Sequence, residues 1–178
     1  MGDYASFFLI DFRHWIISCT PPFIQEAGRA AIEKPENEKM VHDMVKEFEK
    51  RRDLVVDGLN QIEDIRCNKP DGAFYVFPNI SGVCEKLGVL AVYEQLSEEE
   101  KQRTSPSTLF QMFALYRHGV ATMDRRSFGS IGSEGKHYLR LSTATDMESL
   151  REGIRRIEMA SKDIEGFRTY ASSGKYFN

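Results

Sequence analysis

Tyr138-Leu139-Arg140-Leu141-Ser142-Thr143-Ala144 places one arginine inside a short apolar strand that runs directly into a helix start. Flanked by Leu139 and Leu141, Arg140 reads as a placed charge rather than a casual one. Its planar fork of donors suits bidentate capture of a carboxylate. The competing reading is a strand-edge arginine satisfied by a nearby acid such as Asp146 or Glu148.

Working outward, Asp146 is placed to cap a final amphipathic helix carrying Leu150, Ile154, Ile157 and Met159, and the residues after Asp163 read as a tail wrapping the surface. Upstream of the strand, residues 127–136 form a glycine-rich loop and Val120-Ala121-Thr122-Met123 a second strand. Ser105-Pro106-Ser107 starts a helix through Leu109, Phe110, Phe113 and Leu115, and Gly119 ends it. Residues 83–96 are compatible with a helix, and the charge run 97–103 with a helix end or loop. Ala73-Phe74-Tyr75-Val76-Phe77, closed by Pro78, is a third strand, reached through the turn Lys69-Pro70-Asp71-Gly72 from a short strand at Ile65-Arg66-Cys67. Before it, Met40, Val41, Met44, Val45, Phe48, Val55 and Leu59 follow three-and-four spacing, which predicts a long amphipathic helix over 37–62. A shorter helix through Ile24, Ala27, Ala31 and Ile32 takes Thr20 as its N-cap, with Pro21 and Pro22 at the first positions, and stops at Pro35.

At 178 residues, 41% hydrophobic and 29% charged, the chain has the makeup of one soluble globular domain with a real core. A net charge of −3 argues against a nucleic-acid binder. Cys19, Cys67 and Cys84 are odd in number and widely spaced, which fits reduced thiols in a cytoplasmic protein. The apolar N-terminal stretch is interrupted by Asp11, Arg13 and His14, so its runs fall short of a membrane span, and Asp3 with no early lysine or arginine is a poor signal peptide. Its aromatics read as core or interface packing.

Several chemical motifs fail. Gly129, Gly132 and Gly135 with Lys136 have the wrong spacing for a phosphate loop, and they precede a strand instead of following one. The four histidines, His14, His42, His118 and His137, show no metal-ligand spacing. No serine or cysteine sits in a nucleophile elbow, and Glu63 with Asp64 reads as a solvated helix end. Catalytic and metal residues are therefore not assigned.

What remains is a series of phrases in order. Ser18-Cys19-Thr20-Pro21-Pro22-Phe23-Ile24-Gln25-Glu26-Ala27-Gly28, then Phe48-Glu49-Lys50-Arg51-Arg52-Asp53-Leu54-Val55, then Lys69-Pro70-Asp71-Gly72-Ala73-Phe74-Tyr75-Val76-Phe77-Pro78, and finally Ser127-Phe128-Gly129 with Tyr138-Leu139-Arg140-Leu141-Ser142, resemble successive segments of class I/II aminotransferases. These are fold-type I enzymes that use pyridoxal phosphate, and the aspartate aminotransferase branch looks closest. The resemblance covers roughly residues 18–159. It departs where the family has Pro-Gly before its Phe-Gly element and this chain has Asp124-Arg125-Arg126, and residues 82–105 read as a longer insertion.

The resemblance implies that Arg140 binds the substrate α-carboxylate. It also implies that the Schiff-base lysine, the aspartate for the pyridine nitrogen, the ring-stacking tyrosine and most phosphate ligands belong upstream of these phrases. No lysine here stands in a substitute segment; Lys136 and Lys175 read as solvated. The expected fold is α+β: the small C-terminal domain of a fold-type I aminotransferase, a short sheet around Cys67, Tyr75, Ala121 and Leu141 covered by helices, with a long interdomain-type helix. Residues 1–17 are an unmatched segment, 18–62 a helical remnant and the connecting helix, 63–162 the small domain, and 163–178 the tail. Pyridoxal 5'-phosphate is implied by the family but not expected to be bound covalently, so the chain alone is expected to be inactive. An amino-acid or 2-oxo-acid substrate and a homo-oligomer or a missing large domain are the implied partners. The alternative is a free-standing carboxylate-binding or protein-interaction module without catalysis.

Overall fold

The computed structural model describes residues 20–129 and 135–174. The expectations for residues 1–17, for Cys19, for the middle of the glycine-rich loop and for Lys175 lie outside the described residues. Two units are distinguished, residues 1–45 and 46–178.

The first unit holds α1 (Pro22–Glu33) and the start of α2 (Glu36–Asn60). Thr20 is not the cap of α1: Pro21 occupies that position with no side-chain bond, and the Thr20 carbonyl instead accepts from the side-chain Nε2 of Gln25. Pro22 at the first helical position loses no hydrogen bond, because its N–H would have been unsatisfied anyway. Asn37 at the start of α2 donates to the carbonyls of Ala30 and Ala31, closing the end of α1.

In the second unit, the rest of α2 contributes buried Val55, Val56 and Leu59. There follow β1 (Tyr75–Val76), α3 (Ser81–Lys86), α4 (Val89–Glu94), α5 (Glu98–Arg103), α6 (Pro106–His118), β2 (Met123–Asp124), a single 3-10 turn (Arg126–Phe128), β3 (Leu139–Ser142), α7 (Met147–Lys162) and α8 (Ile164–Ser172). The strands form one antiparallel sheet in the order β1-β3-β2, with Val76 opposite Leu141 and Met123 opposite Arg140. This is the α+β arrangement of a short sheet covered by helices.

The sheet is smaller than the residue pattern predicts. Ile65-Arg66-Cys67 is not a strand; Arg66 makes one bridge to Asn79, which in turn bridges Tyr138. The strand read at 73–77 narrows to Tyr75–Val76, since Ala73 takes φ +62°, a left-handed conformation that cannot continue a ladder. Residues 83–96, read as compatible with a helix, hold the end of α3 and all of α4, divided by Gly88 at φ +79°. The charge run resolves into α5, where Ser97 and Glu100 form a reciprocal capping box. Residues 164–172 are a helix rather than a wrapping tail, capped by Asp163 and burying Phe167. Met159, expected on the apolar face of the last long helix, is 47% exposed.

The core lies where α6 packs on α3, α4, α7 and α8 and on the adjoining strand β2. Phe110 and Phe113 are fully buried, and Phe113 meets Phe167 edge-on at 5.4 Å. Leu59, Ile65, Val76, Ile80, Leu139 and Ile157 complete it. The chain thus holds β3, and with it Arg140, against a close-packed layer.

Candidate functional site

Arg140 stands on the central strand, with β1 on one side and β2 on the other. Leu139 is fully buried in the core, while Arg140 is half-buried. Its guanidinium carbon lies 4.2 Å from the Tyr75 ring centroid and 4.4 Å from that of Phe128. Nη2 lies 2.7 Å from the Met123 thioether, the residue paired with it in the sheet. Among the described residues, no carboxylate stands within ion-pairing distance. The two acids adjacent in sequence are not partners: Asp146 caps α7, accepting from the Ser149 amide at 2.8 Å and from its hydroxyl at 2.7 Å, and Glu148 lies in the first turn of that helix.

The rings continue on both sides. Phe128 meets Phe77 edge-on at 5.7 Å, Tyr75 meets Phe74 at 4.4 Å, and Phe74 meets Phe48 at 6.2 Å. Arg51 lies 5.5 Å from the Phe48 centroid, and its Nε is buried without a hydrogen-bond partner. Two cations therefore sit on one aromatic ladder, and Phe74, Phe77 and Phe128 stay about 40% exposed. Cation–π contact satisfies the faces of a guanidinium while leaving its N–H groups, which lie in the plane, directed outward. Sequence reading found Arg140 and missed this collar. The signal was present in Phe74, Tyr75, Phe77 and Phe128, but their convergence depends on the register of β1 and β3.

A second polar anchor also went unread. Asp124, 7% exposed, accepts from the Ser127 amide at 3.0 Å, from the Ser127 hydroxyl at 2.9 Å and from the Thr108 hydroxyl. Nearby, Arg52 reaches the Pro70 carbonyl, and Asp53 joins Lys69 at 2.8 Å and Arg52 at 2.9 Å, tying α2 to the turn before β1. Lys69 first, and Arg52 next, hold the Asp53 carboxyl below its ordinary range.

Among the described residues, the contacts of the Arg140 guanidinium are two rings and a thioether. Burial pushes the two described thiols up, Cys67 to about 11 and Cys84 to about 12, which disfavours the nucleophilic thiolate at both. Among the described residues, no group of three or more His, Cys, Asp or Glu side chains could hold a metal ion, and no helix is long and apolar enough to cross a membrane.

The sequence profile of the family described as aminotransferase class I and II matches residues 9–157. The chain is 36% identical over 148 residues to the probable aspartate/prephenate aminotransferase of Aquifex aeolicus, covering 83% of this chain and 32% of that protein. It is 36% identical over 146 residues to the aspartate aminotransferase of Pyrococcus horikoshii, covering 82% and 32% respectively. The crystal structure of an aromatic aminotransferase from Pyrococcus horikoshii superposes with a TM-score of 0.63 at 30% identity, over 88% of this chain and 36% of that one. The chain therefore spans about a third of the length of these relatives.

Proposed function

Since the chain belongs to the class I and II aminotransferase family, we propose that it forms the substrate-carboxylate side of an enzyme transferring an amino group between an amino acid and a 2-oxo acid. Arg140 is the residue assigned to the substrate α-carboxylate. The observation that carries this reading is a guanidinium stacked between Tyr75 and Phe128, with no carboxylate of its own among the described residues. Such a group offers parallel N–H donors to an incoming carboxylate without first breaking an ion pair.

Pyridoxal phosphate, which the family implies, does not fit the groups set around Arg140. Aromatic rings and a thioether offer no amine for a Schiff base, no cradle for a phosphate and no carboxylate for a ring nitrogen. No step through the cofactor is assigned to these residues, and the 178-residue chain by itself is proposed to be inactive. Residues 63–162 serve as the small domain. The lysine-bearing large domain or a second copy is the proposed partner for the apolar surface of residues 20–45, where Phe23 and Ile32 are 72% and 86% exposed. That same exposure favours a second reading, an interaction module without catalysis.

Titrating glutamate, alanine, 2-oxoglutarate and succinate against the wild-type chain and Arg140→Ala separates the readings. Saturable binding by the wild type alone supports the carboxylate clamp, and no binding by either favours the interaction module. Aldimine absorbance together with transamination turnover by the purified chain would overturn the proposal of inactivity.

A further inference from the structure

We infer that Asp124 is a positioning residue for Arg140, acting through Phe128. The inference rests on the reading of Arg140 as a carboxylate clamp only for its functional consequence. The two rings that cover the guanidinium are held very differently. Tyr75 belongs to β1 and is fixed by strand pairing opposite Ser142. Phe128 belongs to no strand; it closes a single 3-10 turn, a structure with little stability of its own.

The Arg125 amide donates to the Tyr138 carbonyl at 3.1 Å and the Arg125 guanidinium to the Phe128 carbonyl at 3.4 Å, and the Asp124 carboxylate adds the side-chain anchor that ties the turn to the core helix. One oxygen accepts from both the amide and the hydroxyl of Ser127, and the other accepts from the Thr108 hydroxyl on α6. Asp124 is itself paired with Leu139, the neighbour of Arg140. Asp124 therefore ties the backbone just before Phe128 to the core helix through its carboxylate, and to the strand carrying the arginine through its own backbone pairing. Phe128 then packs edge-on against Phe77 and lies over the guanidinium. With the guanidinium carbon 4.2 Å from the Tyr75 centroid and 4.4 Å from the Phe128 centroid, displacing Phe128 removes one of the two rings that hold the fork in place for a bidentate carboxylate. Asp124 heads the segment Asp124-Arg125-Arg126, and its side chain anchors the turn that follows by hydrogen bonds.

The test reads the arginine directly. In the wild type, the Arg140 Nε–H resonance, assigned by its disappearance in Arg140→Lys, should be shifted upfield by the two rings. Asp124→Ala leaves three donors without their acceptor and should return that resonance toward the position of a solvated arginine. Asp124→Asn keeps an acceptor for Ser127 and should retain most of the shift. Phe128→Leu, at a partly exposed position that does not threaten folding, should lose the Phe128 share of the shift and bind succinate roughly three- to tenfold more weakly. An unchanged Arg140 resonance in a folded Asp124→Ala overturns the inference. Should Asp124→Ala not fold, an unchanged resonance in Phe128→Leu overturns it equally. If the wild type binds no succinate while the resonance responds as described, the positioning role stands and the carboxylate reading falls. Binding by the wild type, with neither shift nor affinity altered in the variants, overturns the positioning role and leaves the carboxylate reading in place.

Discussion

At Gly119 the chain leaves α6 with φ +65°, and its amide closes the helix end by donating to the Ala114 and Leu115 carbonyls. A Cβ built there would stand 2.8 Å from Nη1 of Arg156, the same atom that donates to the Gly119 carbonyl at 2.8 Å. Both the left-handed backbone and the close approach require glycine. Gly119→Ala is expected to cost about 1–2 kcal/mol from the backbone alone, and chemical denaturation with an unchanged m-value is the measurement that checks it. The same scale explains why Arg140 differs from other arginines of the chain. Arg155 and Arg156 are both ion-paired with Glu152. Arg140 has rings in place of an acid, so its donors are not already committed to a charge. Arg140→Lys keeps the charge but loses the fork, and its affinity for succinate should fall nearly as far as that of Arg140→Ala; retention of wild-type affinity would show that charge alone suffices.

At the scale of elements, α7 illustrates how local chemistry sets a helix and its response to pH. Ser149, through its hydroxyl and then its amide, holds the Asp146 cap carboxyl at about 2, and Arg155 followed by Arg156 holds Glu152 at about 2. Both values lie below those of the unfolded chain, so the stability they lend is complete above the ordinary carboxyl range and is lost as pH falls toward 2. Hydrogen exchange in the first turn of α7 should therefore accelerate between about pH 4.5 and 2. Asp146→Asn, still a good cap, should reduce that acid response, whereas Asp146→Ala should lower Tm by about 2–4 °C at neutral pH. This helix start was legible in the sequence because a cap and its partner lie three residues apart. The same holds for α6, framed by Ser105 with Pro106 and by Gly119. The elements that were misread depend on backbone events without a sequence cue, such as the left-handed Ala73 that shortens β1. The α8 helix was missed because its polar surface masks the single large buried anchor, Phe167. The place of Arg140 on a strand was legible from Leu139 and Leu141, but the anchoring role of Asp124 was not, because its partner Thr108 comes from another element.

For the molecule as a whole, the decisive contrast lies between the two units. Residues 46–178 enclose the core around Phe110, Phe113 and Phe167, whereas α1 has no buried residue. Phe23 and Ile32 on α1, and Met40, Val41, Met44 and Val45 on α2, range from 50% to 86% exposed. The α2 residues recur at the spacing that places them along one stripe of a helix. Full burial of a side chain of this size contributes about 1.5–3 kcal/mol, and association costs on the order of 4–15 kcal/mol in lost freedom. Burying six such side chains on each of two copies is enough to offset that cost, which makes self-association the expected behaviour of the isolated chain. Sedimentation velocity should show a concentration-dependent rise in mean mass. Val41→Glu with Met44→Glu should shift the population to monomer while leaving the Tm of the second unit in place, because neither residue belongs to its core. A wild-type chain that sediments as a single monomer at the highest attainable concentration would refute the expectation, and would leave a different polypeptide as the partner for this stripe.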